Sequence, residues 1–405
     1  MTEAPTRVFY LCFTVQPTRQ AHGLQILKMS EGLAQAGAET TLLYQRIRNN
    51  PYGDADKIGE YYNTGHKNLS FDNFWTLATP LGAADEPWRT VLRYYFSVPY
   101  FKARLRHLGC GPGSVVYVRQ RRPLQWLLPW RDRLGFKLVY ELHSCPRSDW
   151  EVEKCSQVDT VVAISEHVRQ QYIARGVPAD RIVVEHDGFD PKEFDPMPTK
   201  EEARQALGIP QDEFVVGYVG RFSLLGGDKG LRPLIEAVVQ LNDPKTRLCL
   251  VGYTEEEAQQ LEAFAAERGL RRPLFHYLGR ADRAKLPVVL AAMDVPVNPL
   301  PDTPHNQGAS PLKLFEYMAA RRPTVATRLQ GTMEVMVHER NALLVEPDNA
   351  ASMAEALQRL RDEPGLAQRL GETAWQDVQR YAWQHRAERI LSFVQNRPAS
   401  GKPAG

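Results

Sequence analysis

The chain has 405 residues, of which 43% are hydrophobic and 24% are charged, and its formal net charge is +2. This composition is typical of a globular protein of two domains, and the near-zero net charge argues against a polycationic nucleic-acid binder. The five cysteines form no CxxC motif, and no apolar run has the length of a membrane span or a signal peptide. We therefore predict a cytoplasmic protein without a disulfide framework, a zinc site or a nucleic-acid partner.

Short β-rich runs alternate with helical patterns along the chain. In the first half the predicted strands are 7–15, 39–44, 114–119, 137–143, 160–165 and 181–186. In the second half they are 214–220, 247–252, 275–279, 294–299, 323–327 and 342–346. Helical patterns lie between most of them, at 22–36, 166–175, 231–241, 254–268 and 350–361. This α/β alternation predicts parallel sheets covered by helices, and its two rounds predict two Rossmann-like domains.

The segment 190–200, DPKEFDPMPTK, is rich in proline and charge and is the predicted hinge between the domains. Ligands of open α/β sheets bind at the carboxyl ends of the strands, so we expect the site in a cleft between the domains. Residues 44–100 combine turn residues and aromatics without a clean period, and we interpret them as an insertion near the cleft entrance. The tail 397–405 is expected to be disordered.

The stretch SPLKLFEYMA, residues 310–319, predicts a helix with Ser310 as N-cap and Pro311 at the first helical position. Lys313 then places a cation at the positive end of the helix dipole, and Glu316 places a carboxylate in a mostly apolar arc. A docked phosphate would explain the lysine, and ribose hydroxyls would explain the glutamate. The alternative is a solvated surface lysine and a glutamate paired with an arginine.

Two further stretches suggest ligand contacts. GYVGRFSLLGGDKG, residues 217–230, is a strand followed by a glycine turn and by Arg221 and Lys229; it predicts either a phosphate site or an ordinary βα loop with surface charges. The GxGxxG and GxxxxGK[ST] fingerprints are absent, which argues against a dehydrogenase or an NTPase. YELHS ends a strand at His143, which either acts on a substrate hydroxyl or is a hydrogen-bonded structural histidine. Gly23, between a loop and an amphipathic helix, brings backbone close to a ligand or makes a turn.

Basic and aromatic residues are interleaved in the stretches 88–107 and 119–133. Mixed in this way, they can lie on an anionic membrane surface or bind an anionic acceptor. The alternative is a core-facing helix with a solvated basic face. The residues that we select as this predicted basic–aromatic patch are Arg89, Arg93, Arg119, Arg121, Arg122 and Trp126.

Over nearly its whole length, the chain resembles the retaining glycosyltransferases of the GT-B fold, family 4 (glycosyl transferases group 1). The resemblance is carried by Gly23, by the strand that ends in His143, and by the segments 161–194, 217–230, 310–335, 341–349 and 381–394. It implies two Rossmann-like domains that face a central cleft. Residues 1–192 would be the acceptor domain and 193–377 the donor domain, with a C-terminal helix, 378–396, crossing back to the first domain.

The resemblance also implies roles for the residues singled out above. Arg221 and Lys229 match the basic pair that holds the donor diphosphate, Glu316 matches the ribose-binding glutamate, and His143 matches a histidine near the transferred sugar. The residues matching other positions around the donor are Gly23, Ser310, Pro311, Leu312, Lys313 and Glu334. Gly308 stands where the family often has a further glutamate, whose role would pass to Asn306, Gln307 or backbone amides. Neither a metal nor another cofactor is implied.

The implied activity is retaining transfer of a sugar from a nucleoside-diphosphate sugar to a hydroxyl of a glycan or a lipid-linked acceptor. Such a reaction would serve the synthesis of cell-surface glycans, glycolipids or polysaccharides, with the enzyme peripheral at the inner face of the membrane. The alternatives are a sugar-nucleotide epimerase of the same architecture and a non-catalytic nucleotide-binding homologue. The glutamate missing at Gly308 argues against the epimerase, because such epimerases rely on acids around the donor sugar.

Overall fold

The computed structural model describes residues 5–18, 20–47, 52–76, 87–224, 227–269, 275–279 and 283–397. Within these ranges, the side chains of 75–76, 87–93, 223–224, 227–228 and 277 are not described. The chain forms two compact units, one of Met1–His186 with Trp383–Gly405 and one of Asp187–Ala382. The corresponding boundaries from the sequence lie at 192 and 377. The predicted disordered tail falls, apart from Arg397, outside the described residues.

The first unit is built on a seven-stranded sheet. Its strands are β1 (Arg7–Val15), β2 (Glu39–Ile47), β3 (Leu69–Thr76), β4 (Ser114–Val118), β5 (Lys137–Leu142), β6 (Thr160–Ala163) and β7 (Ile182–Val184). The helices that precede β7 are α1 (Ala21–Gln35), α2 (Ala55–Tyr62), α3 (Pro87–His107), α4 (Leu124–Leu134), α5 (Asp149–Cys155) and α6 (Glu166–Ile173). The strand order is β3-β2-β1-β4-β5-β6-β7, and the neighbours pair in parallel.

The segment 44–100 is more regular than the sequence indicated. It contains α2, β3 and the first part of α3, and β3 pairs with β2 from Thr40 opposite Leu69 to Ile47 opposite Thr76. The interpretation of the whole segment as an insertion is therefore wrong. β3 is an edge strand whose sequence, LSFDNFWT, mixes polar and aromatic residues, so it lacks the continuous apolar run that identified the central strands.

The second unit has a six-stranded parallel sheet and a short antiparallel hairpin. Its strands are β8 (Phe214–Val219), β9 (Ser223–Leu224), β10 (Gly227–Asp228), β11 (Thr246–Val251), β12 (Phe275–Tyr277), β13 (Val295–Asn298), β14 (Val325–Thr327) and β15 (Leu343–Val345). Its helices are α7 (Lys200–Leu207), α8 (Leu231–Leu241), α9 (Glu255–Glu267), α10 (Leu286–Ala292), α11 (Pro304–Gln307), α12 (Leu312–Ala319), α13 (Gln330–Met333), α14 (Ala350–Asp362) and α15 (Pro364–Val378). The sheet order is β12-β11-β8-β13-β14-β15, and β9 pairs with β10.

The last helix, α16 (Trp383–Gln395), belongs to the first unit, where it packs against α1. Gly32 on α1 makes this packing close, because a Cβ at that position would lie 2.5 Å from the carbonyl oxygen of Trp383. The two parallel α/β units and this returning helix confirm the predicted fold class.

Each sheet is buried between apolar side chains. One core, which includes Phe9, Val116 and Leu138, fills the first unit, and two cores that include Phe315 and Leu234 line the second sheet. All five cysteines are unpaired. In the part of the chain that the structure describes, no helix combines the length and the hydropathy that crossing a bilayer requires.

Candidate functional site

In the second unit, the carboxyl end of β8 meets the first turn of α12. The Lys313 ammonium lies 4.0 Å from the centre of the Tyr218 ring. Gly220, just after β8, has φ +143°, and a Cβ there would lie only 2.8 Å from the Lys313 Nζ. The glycine therefore leaves room for a cation at the end of the strand, which is where ligands of open α/β sheets bind.

The charge of Lys313 is strongly affected by its surroundings. Burial and the nearby cation of Lys229 together lower the pKa of Lys313 to about 7, and Glu316 only partly offsets the two. Burial also lowers the pKa of Lys229. Two half-buried ammonium groups this close together are an electrostatic environment suited to an anion.

Glu316 is buried one turn further along α12 and forms an ion pair with Arg283. The other side of the Arg283 guanidinium binds the Glu193 carboxylate at 2.7 Å. One half of the alternative interpretation is therefore correct, because Glu316 does pair with an arginine. The other half is wrong, because Lys313 is half-buried against Tyr218 and is not a solvated surface residue.

The start of α12 differs from the prediction. The helix begins at Leu312, and Pro311, in an extended conformation at φ −72° and ψ 133°, is its N-cap. The Ser310 hydroxyl instead accepts the backbone N–H of Asp187 at 3.1 Å. The prediction of Ser310 as N-cap is wrong because a residue distant in the sequence takes the hydroxyl that a local motif would have used. Leu312 is half-buried at the first helical position.

The loop before α12 is held by its own amide side chains and by α13. Asn306 donates to the Pro301 carbonyl at 3.0 Å, and Gln307 links Asp302 to the N–H of Gln330. Both amides that could replace the missing acid at Gly308 therefore brace the loop. A Cβ on Gly331 would lie 2.3 Å from the Ala309 carbonyl oxygen, so α13 packs directly on the loop. Glu334 is half-buried at the C-cap of α13.

The β9–β10 hairpin lies between Arg221 and Lys229. Arg221 has an exposed side chain just after β8, and its carbonyl accepts the Tyr218 hydroxyl at 2.9 Å. Lys229 precedes Gly230, the N-cap of α8, whose φ of 79° and whose closeness to the Pro299 carbonyl both require a glycine. The structure thus places Arg221, Lys229 and Lys313 around one strand end.

In the first unit, His143 is held by a buried carboxylate. Its Nε2 lies 3.0 Å from Oε1 of Glu141. This Oε1 also accepts hydrogen bonds from Gln25 at 2.7 Å and Arg386 at 2.8 Å, and Oε2 accepts the Tyr117 hydroxyl at 2.7 Å. Burial alone would raise the pKa of Glu141, but the Arg386 guanidinium and the neighbouring His143 outweigh it and hold this pKa well below its usual range. His143 is itself only half-buried, so a fixed imidazole remains accessible.

Arg119 belongs to this same network and not to the predicted basic–aromatic patch. Its guanidinium donates to Oε1 of Gln25 at 2.8 Å. Burial lowers the pKa of the neighbouring His22 to about 4, with smaller contributions in the same direction from the nearby Arg119 and His143. Two imidazoles and an arginine therefore lie close together near the carboxyl ends of β4 and β5.

Packing within the protein explains why position 23 is a glycine. It is the third residue of α1 and does not precede the helix as predicted. A Cβ at Gly23 would lie 2.5 Å from the Thr18 methyl group and 2.6 Å from the Tyr62 hydroxyl. The protein itself fills the space beside this glycine.

The other residues of the predicted basic–aromatic patch lie in different environments. Trp126 is 7% exposed and packs in the core beside Trp130 and Phe13. The prediction of Trp126 as a surface residue is therefore wrong. Helix α4 is a core-facing helix, as in the alternative interpretation. The side chains of Arg89 and Arg93 lie outside the described residues. Arg121 and Arg122 line a cavity of about 520 Å³. Tyr94 and Tyr95 of the stretch 88–107 also line it, together with Arg147 and Trp150, which lie outside both predicted stretches.

Two units, each with a sheet of parallel strands covered by helices, define the GT-B class of fold. Two family models match this chain: Glycosyltransferase Family 4 over residues 23–193 and Glycosyl transferases group 1 over residues 213–363. The chain belongs to the group 1 glycosyltransferases of family 4.

The curated relatives agree with this assignment. The lipopolysaccharide core biosynthesis glycosyltransferase LpsD of Rhizobium meliloti is 37% identical over 43% of this chain and 46% of that protein. A D-inositol 3-phosphate glycosyltransferase of Corynebacterium urealyticum is 29% identical over 54% of this chain and 52% of that protein. The matches thus span about half the length of these relatives.

Solved structures match over almost the whole chain. Sucrose-phosphate synthase from Thermosynechococcus elongatus has a TM-score of 0.75 at 22% identity, with 96% of this chain and 98% of that chain covered. Anabaena HepE in complex with UDP has a TM-score of 0.72 at 19% identity, with 96% and 100% covered. At these identities the likeness concerns the fold.

Proposed function

We propose that this chain is a glycosyltransferase that moves a sugar, with retention of configuration, from a nucleoside-diphosphate sugar to an acceptor hydroxyl. The observation that carries the proposal is the grouping of Lys313, Lys229 and Arg221 at the end of β8, one helical turn from the buried Glu316. Three cations supply charge for a diphosphate, and the carboxylate supplies acceptors for ribose hydroxyls.

Glu316 can serve the ribose without losing its ion pair. Arg283 contacts Oε1 of Glu316, and a carboxylate has acceptor positions on both oxygens. In the proposed complex, Oε2 accepts ribose hydroxyls while Arg283 holds the side chain in place. Arg283 is then a positioning residue for the donor, although no local sequence pattern pointed to it.

The proposed chemistry relies on charge stabilisation. When the bond between sugar and phosphate breaks, negative charge grows on the leaving diphosphate, and Arg221, Lys229 and Lys313 stabilise it. The leaving phosphate accepts the proton of the attacking hydroxyl, so no protein base is required. His143, oriented by Glu141, contacts a substrate sugar. No metal or other cofactor takes part in this scheme.

The names of the similar proteins support this proposal. HepE was solved with UDP and with UDP-glucose, and the curated relatives include enzymes named for D-inositol 3-phosphate and for the lipopolysaccharide core. We accordingly propose a donor that is a nucleotide sugar and an acceptor that is a glycan or is lipid-linked. The setting would be synthesis of cell-surface glycans at the inner face of the membrane.

A thermal-shift screen against UDP, GDP, ADP, dTDP and CMP tests the donor site. One nucleoside diphosphate should raise the melting temperature, and the shift should be lost in Lys313→Met and reduced in Glu316→Gln. Lys245→Met is the matched control, because this exposed lysine of the same unit pairs with Asp212 at 2.9 Å. A screen in which no nucleotide stabilises the chain would contradict the proposal.

Product analysis with the identified nucleotide sugar then separates the alternatives. Transfer to an added acceptor, with the anomeric configuration read by NMR, is the expected result. Epimerisation of the donor without any acceptor would identify an epimerase. Tight nucleotide binding without turnover across an acceptor panel would identify a non-catalytic homologue.

A further inference from the structure

The cavity of about 520 Å³ in the first unit gathers three guanidinium groups on a concave surface. Arg121 and Arg122 follow β4, whereas Arg147 follows β5. Because β4 and β5 pair in parallel, the loops after both strands lie at the same edge of the sheet. Among the described residues that line the cavity, none carries a carboxylate.

One buried acid fixes the loops that form this cavity. Glu151, 3% exposed, accepts the Tyr140 hydroxyl at 2.9 Å and the backbone N–H of Arg147 at 3.3 Å. An Arg121 guanidinium nitrogen lies 3.6 Å from Oε2 of Glu151. A single carboxylate can neutralise at most one of the three arginines, so the cavity keeps a positive charge.

Aromatic rings complete the cavity wall. Tyr94 is buried and donates its hydroxyl to the Arg122 carbonyl at 2.9 Å, which fixes α3 against the loop after β4. Tyr95 is 60% exposed and Trp150 is 37% exposed, so both present ring surface. Flat apolar rings beside cations suit a ligand that joins the C–H face of a sugar or cyclitol ring to an anionic group.

We propose that this cavity binds the acceptor and selects one in which a phosphate or carboxylate is attached to a sugar or cyclitol ring. The inference rests on the proposed function, because it names the acceptor class of that reaction. Arginines bind such anions through paired N–H groups, and Tyr95 and Trp150 contact the ring. Arg147 and His143 share the loop after β5, so an acceptor anchored by its anion lies beside the accessible imidazole. A concave surface fits a discrete molecule better than the plane of a membrane.

Isothermal titration of the full chain with matched ligands tests this assignment. The anionic probes are D-inositol 3-phosphate, glucose 6-phosphate and glucuronate, and inositol and glucose are their neutral counterparts. At least one anion should bind about tenfold or more tightly than its neutral counterpart, and added salt should weaken it. Each titration is repeated with UDP present, so that a site completed by the donor is also detected.

Variants connect the binding to the cavity. Arg121→Gln and Arg147→Gln should each weaken anion binding about tenfold or more. Arg169→Gln on α6, which removes an arginine paired with Glu166 elsewhere on the same unit, should leave it unchanged. Nucleotide binding should be the same in all three variants, which separates a fault in the acceptor site from a fault in the donor site.

The outcomes are distinct. Equal affinity for charged and neutral ligands, or unchanged affinity in both cavity variants, overturns the proposal. Binding to phosphatidylglycerol vesicles that the variants abolish, without binding of any soluble anion, overturns it in favour of a membrane-facing surface. Arginine-dependent anion binding in a chain that binds no nucleotide would support the anion site and refute the proposed transferase function alone.

Discussion

At the scale of single residues, the charge of Lys313 determines how the proposed donor site responds to pH. An isolated lysine is protonated far above neutral pH, but the pKa of Lys313 is about 7, lowered by burial and by the nearby Lys229. A bound diphosphate favours the charged ammonium and raises this pKa again. Binding above pH 7 must therefore take up a proton.

We predict that the affinity for the nucleoside diphosphate identified in the thermal-shift screen falls as pH rises above 7, by up to about tenfold per pH unit. The sign follows because the free lysine loses its proton in this range whereas the complex keeps it. Titrations in buffers of different ionisation enthalpy measure the affinity and the proton uptake together. In Lys313→Met the affinity should be low and its pH dependence shallower, with the remainder due to Lys229. A wild-type affinity that is independent of pH would contradict the assignment.

Arg221 tests the proposed stabilisation of the leaving diphosphate. Its side chain is exposed after β8, so replacement by alanine should disturb the fold little. We predict that Arg221→Ala lowers kcat about a hundredfold with little change in KM, because the charge that it stabilises develops in the transition state. Steady-state kinetics measure both constants. Arg268→Ala, half-exposed at the end of α9, is the control, and a change confined to KM would exclude this role for Arg221.

At the scale of elements, glycines fix how helices and loops approach the strand ends. Gly230 begins α8 at φ 79°, and a Cβ there would lie 1.6 Å from the Pro299 carbonyl oxygen. Gly208 ends α7 at φ 68°, yet a Cβ there would meet no atom within 4 Å. Comparing these two glycines separates the energetic cost of a left-handed backbone conformation from the energetic cost of a steric clash.

We predict that Gly208→Ala lowers the free energy of unfolding by about 1 kcal/mol, the usual cost of a left-handed alanine. Gly230→Ala should cost about 2 kcal/mol more, because the loop after β13 must also move. Urea denaturation of both variants gives the two values. Equal losses in the free energy of unfolding would show that the loop around Pro299 moves away from the alanine without an energetic cost.

At the scale of the whole molecule, a side chain from near the end of the chain completes the core of the first unit. Arg386 on α16 and Glu141 on β5 form an ion pair at 2.8 Å, and both side chains are 0% exposed. The same helix carries Arg389, 43% exposed, which pairs with Glu185 at 2.7 Å. The two arginines make similar pairs in very different dielectric surroundings.

We predict that Arg386→Met destabilises the first unit by about 3 to 5 kcal/mol, because it leaves the Glu141 carboxylate buried without its cation. Arg389→Met should cost less than about 1 kcal/mol. Hydrogen exchange resolves which unit opens, and Glu141→Gln combined with Arg386→Met should recover part of the loss. Similar losses in the two single variants would show that Glu141 is protonated or hydrated when the arginine is absent.

Much of the fold could be predicted from the sequence, because the signals of its strands and helices are local. Buried parallel strands appear as short apolar runs and their covering helices as apolar residues of helical period, so the central strands and helices such as 231–241 were placed correctly. Edge strand β3 was missed because its polar and aromatic mixture has no such run. Lys313 and Glu316 were found together because one helix turn carries both.

By itself, the sequence determined the two parallel α/β units, since their strand and helix signals depend on neighbours along the chain, and the resemblance of its motifs to a known family implied the returning helix. Only the tertiary structure decided that Glu316 pairs with Arg283, that Ser310 binds the Asp187 backbone, and that Trp126 lies in the core. It alone brought Arg121, Arg122 and Arg147 around one cavity. The physical reason is the same in each case: these contacts join side chains from distant segments, and no local pattern of charge or hydropathy specifies which distant groups will meet.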